Sequence, residues 1–188
     1  MLVRLSNWLS KMSSGRNLIL SLSLYVLFGF GVMPNLRGAI PALSDAPGPL
    51  DLMFAYTPAA AFDRIAAYGP EGRAAYALMS LSVDVIYPII YTLAFAILIT
   101  FLSRYLFPAG RAVLRLNLLP VGIFFFDMLE NASIVTLLMV YPAQPTALGW
   151  AASTFTTVKW VFAGFTILWS IELILIALFR AVRRGWRW

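Results

Sequence analysis

Residues 112–141 read AVLRLNLLPVGIFFFDMLENASIVTLLMVY, a largely apolar run whose charged residues are Arg115 near its start and Asp127 and Glu130 in its middle. A helix that crosses a bilayer needs about 20 predominantly apolar residues, and this stretch exceeds that. Its interruptions follow a pattern. Asp127, Glu130 and Asn131 stand at i, i+3 and i+4, so a helix puts all three on one face. A charge at the bilayer centre costs at least about 2.5–3.5 kcal/mol, so that face has to turn towards other protein. The stretch predicts a membrane-spanning helix with a polar interior site.

The rest of the chain agrees. Of 188 residues, 61% are hydrophobic and 12% charged, too little charge to cover a water-facing surface. Lys and Arg outnumber Asp and Glu by 14 to 8, a surplus that alone suggests nucleic acid. The cations instead sit at the ends of apolar runs, where anionic headgroups and the positive-inside rule place them. Nucleic acid is therefore not an expected partner. Cys and His are absent, which excludes disulfides, thiolate sites, haem ligation by His, His-ligated zinc and Ser-His-Asp hydrolysis.

Working outward, the expected architecture is an all-α integral membrane protein, a four-transmembrane-helix bundle in one domain over 1–188. The spans are expected at about 17–33, 74–103, 112–141 and 148–179, the second containing Pro88. Ahead of them, residues 1–12 place Leu2, Leu5, Trp8, Leu9 and Met12 at helical spacing, which predicts an amphipathic helix lying in the interface. The first span has a basic flank and is followed by Ala-Ile-Pro-Ala, features shared with a secretory signal; it is read as a retained helix ending before Pro34. Residues 34–73 form an outer loop. Within it, Thr57 and Pro58 as N-cap and first position, with Gly69 as the stop, predict a short cap helix with Phe62, Ile65 and Ala66 on one side.

Charge sets the orientation. Arg4, Lys11 and Arg16 precede the first span, Arg104, Arg111 and Arg115 follow the second, and Arg180, Arg183, Arg184 and Arg187 follow the fourth. The 34–73 loop has three cations against four acids, and the 142–149 turn has no charge. This predicts a multi-pass protein of the cell (inner) membrane with both termini cytoplasmic. Tyr76, Tyr141, Trp186 and Trp188 read as interface anchors.

At a rise of about 1.5 Å per residue, Asp84 lies about 15 Å inside its helix, Lys159 a similar distance inside the fourth, and Asp127 and Glu130 about 20–24 Å inside the third. All converge on the middle to outer half of the membrane. On the second span Ser80, Asp84, Tyr87, Pro88 and Tyr91 share a face, and Pro88, lacking an N–H, leaves the Asp84 carbonyl without its helical partner. On the fourth, Ala152, Thr156, Lys159, Ala163, Thr166 and Ser170 form a stripe of mostly small residues suited to close packing. Three carboxylates against one ammonium leave negative charge to be relieved. A protonated carboxyl, a Ca²⁺, Mg²⁺ or Na⁺ ion held by Asp84, Asp127 and Glu130, or an arginine such as Arg64 or Arg73 would each do so. Glu172 is expected in a structural ion pair with Arg104 or Arg115. Gly29 and Gly31 read as helix-packing glycines.

The leading expectation is an outward-opening intramembrane site for an amphipathic or lipid-like molecule, with acid–base chemistry on it. Asp84, Asp127, Glu130 and Lys159 would be the catalytic groups, and Tyr87, Tyr91 and Asn131 the ligand-binding ones. Two alternatives stand beside it: an accessory subunit of a larger membrane complex, with the same residues locking the bundle, and a cation- or proton-coupled transporter. The first two differ in partners, being membrane lipids and a lipid-like ligand in one case, and further chains or copies in the other. Four spans with both ends inside and buried acids resemble the layout of sterol-isomerase-like small membrane proteins. The likeness carries no shared motif, and layout does not carry function.

Overall fold

The computed structural model describes residues 2–38, 40, 48–108 and 111–185; Trp186, Arg187, Trp188 and the side chains of Arg37, Arg111, Ala112 and Arg184 lie outside what is described. Among the described residues the chain is helical, with no strand. Four helices are long and apolar enough to cross a membrane: Gly15–Leu36, Gly69–Leu106, Arg115–Val140 and Thr146–Arg183. Each falls on an expected span, but the boundaries differ, and each difference has a local cause.

The first begins with α2 (Gly15–Val26), capped by Ser14, whose hydroxyl accepts from the Asn17 N–H at 3.2 Å. It does not stop at Pro34. A π-helical turn over Leu27–Val32, in which the Met33 N–H reaches back five residues to the Phe28 carbonyl, carries the chain into α3 (Met33–Gly38). The wider turn accommodates a proline that an α-helical ladder would reject. Preceding it, α1 (Leu2–Met12) buries Ser6, Leu9 and Ser10 and exposes Leu2, Val3 and Trp8. Its docking is polar: Ser6 Oγ donates to Asn117 Oδ1 at 2.8 Å, and Asn117 Nδ2 donates to the Ser6 carbonyl at 3.2 Å and to Thr100 Oγ1 at 3.0 Å.

In the connecting loop, α4 (Pro58–Ala67) starts where expected, with Thr57 accepting from the Ala60 N–H at 3.2 Å. Its buried face is Pro58, Ala61, Phe62 and Ile65; Ala66, expected beside them, is exposed. Gly69, at φ +66°, turns the chain into α5 (Gly69–Leu81), a left-handed backbone that favours glycine. The second span is not one helix. Ser82 (φ −119°, ψ −86°) separates α5 from α6 (Val83–Leu106), and its hydroxyl takes the Leu78 carbonyl at 2.6 Å, the local competition by which serine interrupts helices.

The third span starts later than the expected 112. A short α7 (Arg111–Leu114) and a 3₁₀ turn (Arg115–Leu118) precede α8 (Leu119–Val140), which has Pro120 in its first turn, where its missing N–H costs nothing. Finally α9 (Thr146–Gly185) overruns the expected 148–179 at both ends.

α8 packs most extensively on α9 and also touches α5 and α6; α2 lies against α6 on one side. One apolar cluster joins Tyr56, Phe62 and Ile65 of the loop region to Tyr76, Ile134, Leu137, Leu138 and Ala152. A second, at the opposite end, gathers Ile99, Leu106 and Leu173. Between them the core includes a layer of buried polar side chains, Asp127, Glu130, Asn131, Thr156 and Lys159.

Candidate functional site

The polar layer is built by α8 and α9. Lys159, on the expected small-residue stripe, sits between two carboxylates one turn apart: its Nζ lies 3.1 Å from Asp127 Oδ1 and in direct contact with Glu130 Oε2. The stripe packs as expected, with Ala152, Thr156, Lys159, Thr166 and Ser170 all buried. Asp127 takes a second donor from α6, the Tyr91 hydroxyl at 2.8 Å from Oδ2. Glu130 takes one from α9, the Thr156 hydroxyl at 2.6 Å from Oε1. The carboxylates are not equivalent. The Glu130 side chain is 0% exposed, whereas Asp127 and Lys159 keep 11% and 10%.

The loop closes one side of the layer. The Asp51 carbonyl accepts from Lys159 Nζ and from Trp160 Nε1, both at 3.2 Å. Asp51 Oδ1 accepts from the Tyr76 hydroxyl at 2.7 Å, and the Tyr76 hydroxyl oxygen accepts in turn from the Leu50 N–H at 3.1 Å. Further along, the Tyr56 N–H donates to Ser153 Oγ at 3.1 Å, the Tyr56 hydroxyl lies 3.2 Å from Thr156 Oγ1, and Thr157 donates to the Phe54 carbonyl at 3.0 Å. Segment 50–57 is thereby fastened along α9 directly over Lys159.

On the other side, Tyr91 continues into aromatic packing. Tyr87 stands edge-on to Tyr91 (centroids 5.5 Å apart) and stacks on Tyr25 of α2 at 6.1 Å; Tyr25 also meets Phe95 edge-on. Gly29 makes room for this seam: a Cβ there would lie 2.7 Å from the Tyr87 hydroxyl. The packing role expected for this glycine holds. Tyr87 and Tyr91 are both half-buried.

The sequence-expected residues thus divide. Asp127, Glu130, Lys159 and Tyr91 form one network. Asp84 and Asn131 form a second contact beside it: Asn131 Nδ2 donates to the Asp84 carbonyl at 2.9 Å, the carbonyl that Pro88 leaves without a helical donor. The vacancy is real, and Asn131 fills it in place of a ligand. Tyr87 joins through ring packing alone. Three further expectations are corrected. Among the described residues no group of three acids is placed to hold a metal ion, because the Lys159 ammonium occupies the space between the Asp127 and Glu130 carboxylates. The guanidinium groups of Arg64 and Arg73 are bound elsewhere, to the Gly48 carbonyl and to the Ile65 carbonyl at 3.4 Å, and Arg73 also lies 3.8 Å over the Tyr141 ring. Glu172 is exposed, and among the described residues it pairs with neither Arg104 nor Arg115.

Sequence reasoning missed Asp51, Tyr56 and Trp160, it read Thr156 only as a packing residue, and it read Tyr76 as an interface anchor, whereas Tyr76 is buried and bonded to Asp51. Asp51 acts on Lys159 through its main chain, which leaves no signature in residue type. The Thr156 hydroxyl was legible at a distance, because it lies one turn before Lys159 on the same face. No protein-family model, curated protein or solved structure matches the chain.

Proposed function

We propose that the chain is a multi-pass protein of the cell (inner) membrane, both termini cytoplasmic, whose interior site binds an amphipathic, lipid-like molecule and performs acid–base chemistry on it. One observation carries this reading. The polar network is buried, but where the Glu130 side chain is 0% exposed Asp127 and Lys159 keep 11% and 10%, beside the half-buried Tyr91 at the foot of the Tyr25–Tyr87–Tyr91 aromatic seam between α2 and α6. An apolar seam ending in a few convergent polar groups suits a ligand with a long apolar body and a hydrogen-bonding head. Tyr91 offers a hydroxyl and Asp127 a carboxylate to such a head, and Lys159 supplies the compensating charge. Ionisable groups within spanning segments are functional by default.

The test is photolabelling of the protein in lipid nanodiscs with a long-chain alcohol bearing a diazirine. The reading predicts adducts on Tyr25, Tyr87 or Phe95, displaced by excess unlabelled alcohol and reduced in Asp127→Asn. Uniform labelling of all outward faces, insensitive to competition, would contradict it.

A second reading, an accessory subunit in which the network only fixes helix register, is favoured by one observation: the Lys159 ammonium has three protein acceptors, Asp127, Glu130 and the Asp51 carbonyl. Lysine satisfied so fully is what a register lock requires. The two readings part on whether Asp127 substitutions affect ligand capture or stability.

A further inference from the structure

In the C-terminal half of α9, Phe165, Leu168, Leu175, Phe179 and Val182 are 58–66% exposed. Together with Glu172 they follow one another at alternating steps of three and four residues, so on a helix they form one stripe, with the spacing that helix–helix seams use. The apolar members alone suit acyl chains. Glu172 does not: it is exposed on the same stripe and lies about 12 Å inside Arg180 along α9. An ionised carboxylate facing lipid is costly unless it is paired, and among the described residues no ion pair reaches Glu172.

The matching charge stands at the same level. Leu173, next to Glu172, packs with Ile99 and Leu106, and Leu116, next to Arg115, packs against that cluster. Arg115 is exposed, in the 3₁₀ turn ahead of α8, and among the described residues it has no carboxylate partner. The surface around one apolar cluster thus carries a stripe, an anion and a cation that do not pair within the chain. Copies inserted with the same orientation are related by an axis along the membrane normal, which keeps every residue at its own depth. A two-fold axis of that kind makes an isologous contact, in which Glu172 of each copy meets Arg115 of the other.

We propose that this face of α9 seats a second copy of the chain, the two stripes packing on each other and each Glu172 carboxylate pairing with the partner's Arg115 guanidinium. Two carboxylates and two guanidiniums bring the seam to zero net charge. A polar residue at one position of such a seam fixes its register at some cost in stability; here the ion pair sets how the copies align, and the apolar stripe supplies the contact area. The proposal rests on the membrane-spanning reading of α9. It does not rest on the ligand reading, because neither charge belongs to the Asp127–Glu130–Lys159 network.

The chain has no cysteine, so single introduced cysteines report on it without background. Full-length protein labelled at Gln144→Cys with a donor or an acceptor dye is mixed in liposomes and diluted with lipid, and energy transfer gives the dimerisation constant. Glu172→Arg and Arg115→Glu should each weaken dimerisation at least about tenfold by setting like charges opposite each other, and the double swap should restore it. Oxidation of Leu175→Cys should join two copies, whereas Ile19→Cys, 70% exposed on α2, should stay monomeric. The cysteine test keeps the native charges, so it stands even where a swapped chain fails to insert. No energy transfer beyond random encounter, single swaps without effect, rescue of Glu172→Arg by Arg104→Glu in place of Arg115→Glu, or cross-linking at Ile19→Cys but not at Leu175→Cys would each overturn the seam. Release of the native protein from liposomes by alkaline carbonate would overturn the spanning reading and the seam with it. A native chain that dimerises but binds no long-chain alcohol supports the seam and sinks only the ligand reading.

Discussion

Pro88 removes the N–H that the Asp84 carbonyl needs, and Asn131 supplies one from the neighbouring helix at 2.9 Å. A buried acceptor left without a donor costs about 1–3 kcal/mol, so Asn131→Ala should destabilise the protein by that amount. Pro88→Ala restores a helical donor to the same carbonyl. In its background Asn131→Ala should therefore cost less than half as much, and a thermal-denaturation double-mutant cycle in detergent measures the difference. Strict additivity would show that the two residues are not coupled. Lys159→Met acts differently, because it strands two buried carboxylates, and the expected loss is about 3–5 kcal/mol. Tyr56 provides a pH test. Its phenol titrates near 10 in an unfolded chain and at about 12 in the folded one. The stability this gives is complete below pH 10 and is lost as pH rises towards 12, since the unfolded state ionises first. Tyr56→Phe should flatten that part of the alkaline limb. Of this residue-scale detail, the loss of the Asp84 carbonyl's partner was legible, because proline chemistry is local. That Asn131 fills it was not, because the pairing of α6 with α8 is a tertiary fact.

Elements fit where glycine allows them to approach. A Cβ on Gly122 would lie 2.5 Å from the Phe162 ring, whereas one on Gly15 meets nothing within 4 Å. Gly122→Ala should cost about 1–3 kcal/mol by overpacking the α8–α9 contact, and Gly15→Ala should be neutral or slightly stabilising; thermal midpoints of the two variants check the contrast. Equal effects would mean that α8 and α9 do not pack as described. Span existence was readable from apolar runs, and the Pro58–Ala67 helix from its Thr-Pro start and Gly69 stop. The interruptions were harder. Neither the Ser82 break nor the π-helical turn at Leu27–Val32 changes the apolar pattern, so periodicity passes over both. Pro34 misled in one direction and Pro120 was overlooked in the other. The first sits in α3 just past the widened turn, and the second marks where α8 begins.

At the scale of the whole molecule, the depth argument brought Asp84, Asp127, Glu130 and Lys159 to one level from three helices, and the structure joins the last three directly while Asp84 meets Asn131 through its carbonyl. What depth did not reveal is the closure of that layer by segment 50–57, because a loop has no periodicity to reveal its register. The orientation is tested by labelling. Under the proposed topology Gln144→Cys reacts with an impermeant thiol reagent on intact cells, and Pro108→Cys reacts only after permeabilisation; the reverse pattern would invert the protein. The central claim is that the network serves a ligand, and its most direct test is Asp127→Asn. That change leaves the Lys159 contacts with Glu130 and the Asp51 carbonyl in place. The measurement sets the affinity for a long-chain alcohol in nanodiscs beside the thermal midpoint of the same sample. A ligand site predicts binding weakened at least about tenfold, a loss of about 1.4 kcal/mol, with the midpoint lowered by no more than about 4 °C. Unchanged binding with a midpoint lowered by about 10 °C or more would contradict it and leave the network as a lock between helices.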